Sequence, residues 1–214
     1  MNHNSPLIFP TAYFGPVQYF ARIAAEDYFI IEQYDHYIRQ TYRNRCVILG
    51  ANGKITLSIP IIKEKNTKTL IKDVRIDYST SWQRIHKQSI HSAYRNAPYF
   101  EFYFDEYEWI YEKKINFLLD LNTRITEKVI NQLDLKSKWD FSQEFLPISS
   151  PQDFRNLISP KISFEDDLQF LPIRYFQVFS DKFDFVPNLS ILDLLLNTGP
   201  EAKAILGKSL KSVK

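Results

Sequence analysis

A β-hairpin is the feature that most constrains how this sequence can fold. The pair Asn52-Gly53 lies between two apolar runs, at 47–49 and 55–61. Asn-Gly flanked by apolar residues is the strongest short hairpin signal, because a two-residue type I′ turn needs a positive φ at both central positions. In the second run isoleucine and leucine alternate with threonine, serine and proline, which indicates a strand with one buried face. We therefore predict a hairpin over residues 46–61.

Three arginines lead into this hairpin: Arg39, Arg43 and Arg45. Aromatic and amide side chains lie among them, namely Tyr37, Tyr42 and Asn44. Guanidinium groups hold planar anions through paired, charge-assisted hydrogen bonds, and they also stack on aromatic faces. The segment is therefore a candidate site for a phosphate, a carboxylate or a sugar nucleotide. The simpler alternative is that the arginines form ion pairs with Glu32, Asp35 and other surface carboxylates.

The charge balance and the missing motifs exclude several classes of function. With 27 basic and 25 acidic residues the net charge is only +2, whereas nucleic-acid binding usually requires a strongly basic surface, so we expect no nucleic-acid partner. One cysteine and four histidines without a ligand spacing predict no metal site. Neither a leader peptide nor an apolar run of the ~18 residues that a membrane span needs is present, so we expect a soluble, cytoplasmic protein. No Walker or Rossmann motif is found, and no pattern assigns a cofactor or an oligomeric state.

The N-terminal residues predict a βαβ unit with parallel strands. Apolar runs at 7–9 and 28–31 flank a segment that begins at Val17 and has apolar residues at helical spacing. In such units ligands bind beyond the carboxyl ends of the strands, which would bring Tyr13, Gln18 and the three arginines to one rim. Packing of the Tyr13 ring and capping by the Gln18 amide are the alternative explanation.

A helix predicted over residues 80–97 carries the side chain best suited to proton transfer. Thr80 and Gln83 have the spacing of a capping box. Trp82 and His86 share the apolar face of this helix. Histidine is the only side chain whose ordinary pKa suits proton transfer near neutral pH, so His86 is our candidate general base. A hydrogen-bonded histidine in the core is the alternative.

The other elements are predicted from periodicity and punctuation. Alternating apolar residues predict a strand at 73–78, and residues 104–133, which lack glycine and proline, predict one long amphipathic helix or two with a bend near Asp120. Prolines at 147, 151 and 160 predict an irregular excursion over residues 136–166, either a lid or a flexible loop. Aromatic residues predict a strand at 170–179. Ser190 has the position of a helix cap.

Together these elements predict a single α/β domain over residues 1–214. It would contain a mixed sheet, with the N-terminal parallel βαβ unit and the β-hairpin, covered by long helices. An α+β arrangement is the alternative.

Several segments together resemble the WbqC-like protein family of bacteria. They are Tyr13 to Phe20, Tyr34 to Cys46, Asn52-Gly53, Leu57 to Pro60, Trp82, His86, Ala93-Tyr94, Pro98 to Phe100, Tyr103, Pro187 to Leu195 and Gly199 to Ala202. The resemblance covers nearly the whole chain and is weak over 136–166. It implies a role connected with surface-polysaccharide and O-antigen gene clusters. It also makes Asn188 and Asp193 site candidates, although a turn and a helix cap explain these two residues locally.

Two functional hypotheses follow. The first is a transferase of surface-polysaccharide biosynthesis, acting by group transfer on a sugar nucleotide or a sugar acceptor. In its site Arg39, Arg43 and Arg45 would hold phosphate or carboxylate, Tyr13, Tyr42 and Trp82 would stack, Gln18 and Asn44 would orient hydroxyl groups, Asn188 would line the site, and His86 would be the general base. The second is a non-catalytic binding or scaffolding protein of polysaccharide assembly, because interfaces favour tyrosine and arginine.

Overall fold

The computed structural model describes residues 6–62, 68–148 and 153–211. Within these ranges the strands are β1 (Leu7–Phe9), β2 (Tyr28–Ile31), β3 (Arg45–Gly50), β4 (Gly53–Ser58) and β5 (Lys138–Phe141). The α-helices are α1 (Val17–Ala24), α2 (Trp82–Tyr94), α3 (Phe100–Phe104), α4 (Trp109–Glu112), α5 (Leu118–Gln132), α6 (Ser180–Phe183), α7 (Ile191–Thr198) and α8 (Ala202–Lys208). Short 3-10 helices occupy Ile71–Asp73, Asp105–Tyr107, Phe164–Asp166 and Gly199–Glu201.

The N-terminal unit is the predicted parallel βαβ arrangement. β1 pairs with β2 in parallel, with Leu7 opposite Phe29 and Phe9 opposite Ile31. β5 pairs in parallel on the other side of β2, so the strand order is β1-β2-β5. Apart from Tyr28, which is exposed, the apolar side chains on α1 and on the three strands are buried or half-buried, which is the pattern of a parallel sheet covered by helices. The predicted α/β class is confirmed.

The predicted hairpin is also confirmed, but it forms a sheet of its own, and its turn differs from the prediction. β3 and β4 are antiparallel, with Gly50 opposite Gly53, so Ala51 and Asn52 are the loop residues. Gly53 has a φ of 113°, whereas Asn52 does not have a positive φ. The type I′ prediction is therefore wrong, because one glycine alone supplies the left-handed conformation. The hairpin ladder ends at Ser58.

Helix α2 keeps its predicted buried face but not its predicted cap. Trp82 and His86 are both 3% exposed, and Ile90 is fully buried. The N-cap residue is Ser81, and its side chain makes no capping hydrogen bond. The Gln83 amide instead donates to the carbonyl oxygens of Ile110 and Lys113, at 2.7 and 2.8 Å. The tertiary contact replaces the predicted capping box.

The prediction of one long helix, or of two with a bend near Asp120, over 104–133 is wrong. The chain leaves helical conformation at Lys113 and regains it at Leu118. In between, the Asn116 carbonyl oxygen accepts from the Ile76 N–H, and the Leu118 N–H donates to Val74, each at 2.9 Å. These bonds hold the segment extended against residues 74–76. The strand predicted at 73–78 is itself reduced to isolated bridges.

The C-terminal part departs from its predictions in two places. β5 lies inside the segment predicted to be irregular, and the strand predicted at 170–179 is replaced by an extended segment with a single bridge to Leu210. The Ser190 cap is present, since its hydroxyl accepts from the Leu192 N–H at 3.3 Å. After α7, Gly199 has a φ of 52°, and a Cβ there would lie 2.5 Å from the Tyr99 ring. Only glycine fits that position.

One cluster of buried side chains extends from Leu7 to Leu206. The two ends of the chain meet in it. The Val17 N–H donates to the Leu189 carbonyl oxygen and the Ile191 N–H to that of Gly15, both at 2.9 Å. Among the described residues, no helix combines the length and the apolar character that crossing a membrane requires.

Candidate functional site

The predicted arginine segment opens onto a cavity of about 430 Å³, which we call the arginine cavity. It lies between the loop before β3 and the residues that follow β4. Its walls consist of Tyr37, Arg39, Gln40, Asn44, Arg45, Ser58, Ile59, Pro60, Ile61 and Asp77. The volume is within the range of small-molecule sites, about 300–1,000 Å³.

Two of the three predicted arginines face this cavity without a carboxylate partner. Within residues 6–62, 68–148 and 153–211, neither Arg39 nor Arg45 forms an ion pair. The Nε atom of Arg45 is buried and has no hydrogen-bond partner. Arg43, in contrast, is buried and pairs with Asp35 at 2.8 Å. The ion-pair explanation therefore applies to Arg43, although that arginine is buried, whereas Arg39 and Arg45 keep their donors available.

The polar groups beside these arginines complete a cationic wall. Burial raises the pKa of the Tyr37 phenol, and Arg45, Arg39 and Arg43 oppose that rise, so this hydroxyl lies in the field of all three guanidinium groups. The Asn44 amide donates to the Ile59 carbonyl oxygen at 2.7 Å. This bond leaves its buried Oδ1 without a partner. The wall therefore offers several donors and one unused acceptor.

Backbone conformation and one carboxylate distinguish the rim of the cavity. Gln40 has a φ of 59°, in the left-handed region that is uncommon for residues other than glycine and that recurs at ligand sites. Asp77 accepts from the Ser79 N–H at 2.8 Å. That hydrogen bond lowers the pKa of the Asp77 carboxyl, so it is ionised at neutral pH. The rim therefore combines cationic donors with one anionic acceptor.

His86 lies behind the wall of the cavity and does not line it. Its Nδ1 is 3.0 Å from the Tyr13 hydroxyl, and its ring meets Trp82 edge to face with centroids 5.1 Å apart. Burial lowers the pKa of His86 to about 4, and a hydrogen bond with the Ser58 backbone opposes this shift. The ring is therefore neutral at neutral pH. Ser58, which does line the cavity, connects the two.

Of the aromatic residues predicted to stack on a ligand, Tyr13 and Trp82 contact His86. Tyr13 is fully buried and Trp82 is 3% exposed. The Tyr13 N–H donates to the Tyr42 carbonyl oxygen at 2.9 Å. None of the three side chains is among those lining the arginine cavity. Their contacts are with protein, and their role in stacking stays a prediction.

Gln18 and Asn188 meet each other at a different place. The Gln18 N–H donates to Asn188 Oδ1, and its side-chain amide donates to Asp167, both at 2.9 Å. Arg22 forms an ion pair with the same aspartate. Asn188 has a φ of 55°, as expected of a turn residue. These two candidates join the two ends of the chain and do not line the arginine cavity.

The carboxyl edge of the parallel sheet, where the topology predicts ligands, is filled by a charged network. Glu32 is 1% exposed and accepts from the Ser142 hydroxyl at 2.9 Å and from the Leu146 N–H at 2.8 Å. Arg155 pairs with Asp153 at 2.5 Å and with Glu32 at 3.6 Å. The side chains of these ion pairs are at most 1% exposed. We call this set the sheet-edge network.

Sequence reasoning missed four polar residues of the cavity wall, Tyr37, Gln40, Ser58 and Asp77, and the apolar residues 59–61. Tyr37 and Gln40 lie inside the segment already singled out, so their proximity to the arginines was a usable signal. Ser58 and Asp77 belong to other elements and reach the cavity only through tertiary structure. In the described part of the chain, no three histidine, cysteine, aspartate or glutamate side chains come together as a metal site would require.

Comparison with known proteins identifies relatives. The family model described as "WbqC-like protein family" matches residues 11–162, a range that includes every residue of the arginine cavity. The uncharacterized protein Rv1507c of Mycobacterium tuberculosis is 27% identical over 211 residues, covering 86% of this chain and 89% of that protein. No solved structure matches the chain significantly.

Proposed function

This chain belongs to the WbqC-like protein family, and from that premise we propose that it is a cytoplasmic transferase of bacterial surface-polysaccharide biosynthesis. It acts by group transfer on a sugar nucleotide or a sugar acceptor. The arginine cavity binds the anionic part of the substrate. The family resemblance supports the pathway, and the cavity supports the ligand class.

The observation that carries this proposal is the absence of an ion pair for Arg39 and Arg45 among the described residues. A guanidinium group with a buried, unpartnered Nε loses hydrogen bonds to water without gaining others, so an anion that accepts from it is favoured. A phosphate presents several acceptor oxygens to such donors. The Arg45 Nε is such a donor.

The remaining wall residues suit the sugar part of the same ligand. Hydroxyl groups both donate and accept hydrogen bonds. Asp77 is an ionised acceptor, and Tyr37 and Gln40 supply further polar groups. A ligand with an anionic end and a hydroxyl-bearing end uses both kinds of group in one cavity.

His86 stays our candidate general base. Burial keeps the ring neutral, and the neutral imidazole is the form that accepts a proton. The Tyr13 hydroxyl, 3.0 Å from Nδ1, is the group through which a proton would reach the ring. If the role is correct, the rate of transfer falls below a pH of about 4, and His86→Gln abolishes transfer while the ligand still binds.

Thermal stabilisation tests the binding step. The native protein is heated with a panel of sugar nucleotides, nucleotides and coenzyme A derivatives at millimolar concentration. A ligand present at ~100 times its dissociation constant adds about 2.7 kcal/mol of stability. We expect a sugar nucleotide to raise the Tm, and Arg45→Ala to lose about 1.5–3 kcal/mol of the binding free energy, the scale of a charged hydrogen bond.

Arg95→Ala is the matched control. Arg95 is also without an ion pair among the described residues, but it caps the C-terminal end of α2 and lines a different cavity. Its replacement is expected to leave the ligand shift unchanged. If a ligand raised the Tm of the Arg45→Ala variant as much as that of the native protein, the arginine cavity would not be the ligand site.

Exposed apolar side chains favour the alternative, a non-catalytic binding or scaffolding role. Phe102 is 81% exposed and Leu168 is 78% exposed. Large exposed side chains of this kind are frequent at protein interfaces when they cluster. Two results together would support this function in place of transfer. No compound of the panel would raise the Tm, and cells carrying a stably folded Phe102→Ser variant would lose surface polysaccharide.

A further inference from the structure

A second cavity, of about 600 Å³, lies at the C-terminal side of the molecule and shares no residue with the arginine cavity. Its walls come from the end of α7, from α8 and from the extended segment at 173–176. Tyr99 and Pro98 close it on the side of α3. We call it the second cavity, and nothing in the proposed transfer reaction uses it.

A buried amide in its wall lacks one hydrogen bond. Asn197 is 4% exposed, and its Nδ2 donates to the Asp193 carbonyl oxygen at 2.7 Å. Rotating the amide would bring two oxygens together, so this bond decides the orientation of the side chain. The Oδ1 atom is left buried without a partner. It requires an N–H or O–H donor that the described residues do not provide.

The wall behind this amide is rigid. The Tyr175 hydroxyl donates to Asp193 Oδ2 at 2.8 Å. The same carboxylate accepts from Tyr94 at 2.9 Å and from the Gln177 amide at 2.8 Å. Because Asp193 holds three donors at once, Tyr175 and the α7 side of the cavity are held in place before any ligand arrives.

The rim carries opposite charges and an exposed ring. Glu201 and Lys208 both line the cavity, and neither has an ion pair within the described residues. Phe176 is 57% exposed at the same rim. Arg174 is already paired with Asp184. The unpaired charges sum to zero, so the rim favours an uncharged ligand that both donates and accepts hydrogen bonds.

We propose that the second cavity binds an uncharged polyhydroxylated ligand, a sugar ring. One ring hydroxyl donates to Asn197 Oδ1 and another to the Glu201 carboxylate, and Lys208 donates to a further oxygen. The C–H face of the sugar, which is slightly positive, packs on the negative face of the Phe176 ring. The site takes its ligand independently of the anion site.

Saturation-transfer NMR tests this site with methyl β-D-glucopyranoside, methyl β-D-galactopyranoside and N-acetyl-D-glucosamine at millimolar concentration. We expect at least one of these sugars to bind the native protein saturably. Phe176→Ala should weaken that binding about tenfold, the scale of a lost ring contact. Glu201→Gln should weaken it too. Phe176 is exposed, so its replacement leaves the fold intact.

Phe102→Ala is the matched control, because Phe102 is also an exposed phenylalanine but does not line the second cavity. It should bind the sugar as the native protein does. Arg45→Ala should also retain sugar binding, which separates this site from the anion site. No saturable binding of any of the three sugars, or equal binding by Phe176→Ala and the native protein, would overturn the proposal.

Discussion

The sheet-edge network and the arginine cavity both contain guanidinium groups, but only those of the sheet-edge network have carboxylate partners among the described residues. At the sheet edge, Arg155 is buried and lies between the carboxylates of Glu32 and Asp153. In the arginine cavity, Arg39 and Arg45 have no carboxylate partner among the described residues. A buried charge that is paired belongs to the scaffold, whereas an unpaired charge at a cavity is available to a ligand.

The largest effect is expected at the sheet edge. Arg155→Ala leaves two buried carboxylates without their cation, so the free energy of unfolding in urea should fall by about 3–5 kcal/mol. Arg174→Ala is the control, because Arg174 and its partner Asp184 are both more than 60% exposed, at 67% and 72%. That variant should lose no more than ~1 kcal/mol. Similar losses of stability in Arg155→Ala and Arg174→Ala would show that burial of the ion pair does not set its contribution to stability.

Acid titration tests the protonation of two buried groups: His86, behind the arginine cavity, and Asp193, behind the second cavity. Burial lowers the pKa of His86 to about 4 from an ordinary value of 6.5. As pH falls through this window, the unfolded histidine takes up a proton before the folded one does, so stability falls by roughly 3 kcal/mol. Burial raises the pKa of Asp193 from 3.8 to about 6. Folded Asp193 takes up its proton first, so stability rises by roughly 3 kcal/mol as pH falls.

In the native protein the stability changes caused by protonation of His86 and of Asp193 nearly cancel. A variant that lacks one of the two groups shows the effect of the other alone. Relative to the native protein, His86→Gln should gain stability as the pH is lowered from 6.5 to about 4, and Asp193→Asn should lose it. Urea denaturation at several pH values measures both differences. Variant curves that run parallel to the native curve would show that neither group titrates as its burial predicts.

The substitution of Arg43 is expected to have an intermediate effect on stability, and that of the neighbouring Arg45 almost none. Arg43→Ala leaves Asp35, which is only partly exposed, without its partner, so the free energy of unfolding should fall by about 2–3 kcal/mol. Arg45→Ala should change it by no more than ~0.5 kcal/mol. For ligand binding we expect the opposite order, with the larger loss of affinity in Arg45→Ala. A stability loss in Arg45→Ala as large as that in Arg43→Ala would place both arginines in the scaffold.

The smallest effect is expected at the rim of the arginine cavity. Asp77→Asn removes the one carboxylate that faces Arg39 and Arg45 across the cavity, so inorganic phosphate should bind somewhat more tightly. The gain should vanish at high salt, because the groups are exposed and screened. Calorimetry at two salt concentrations measures it. Weaker phosphate binding in this variant would contradict the assignment of the arginines as the anion-binding groups.

Elements with a strong local pattern were predictable from the sequence. The βαβ unit, the hairpin and the buried face of α2 each follow from a short-range periodicity that needs no knowledge of the rest of the chain. The break at 113–117 does not, because it is decided by hydrogen bonds to residues 74–76. β5 likewise has four residues and a mixed composition, and β2 supplies its register.

The candidate site was predictable as a segment and not residue by residue. The cluster of arginines and tyrosines before β3 marked the right part of the chain. Which arginine would be paired could not be read from the charge pattern, since Asp35 is nearest to Arg39 in sequence but forms its ion pair with Arg43, eight residues away. The distance between His86 and the cavity wall is likewise a product of how α2 packs on the hairpin.

The bonds from Val17 and Gly15 to residues 189 and 191 set the order in which a growing polypeptide can finish folding. Synthesis proceeds from the N terminus, so β1 and α1 leave the ribosome while the segment that completes them is still to be made. The sheet also waits for β5 and for the Phe154 N–H that bonds Ile8 at 2.8 Å. Contacts between such distant parts of a chain form slowly. Until residue 191 has emerged, the N-terminal apolar strands lack their native cover, and uncovered apolar strands of this kind are prone to aggregation.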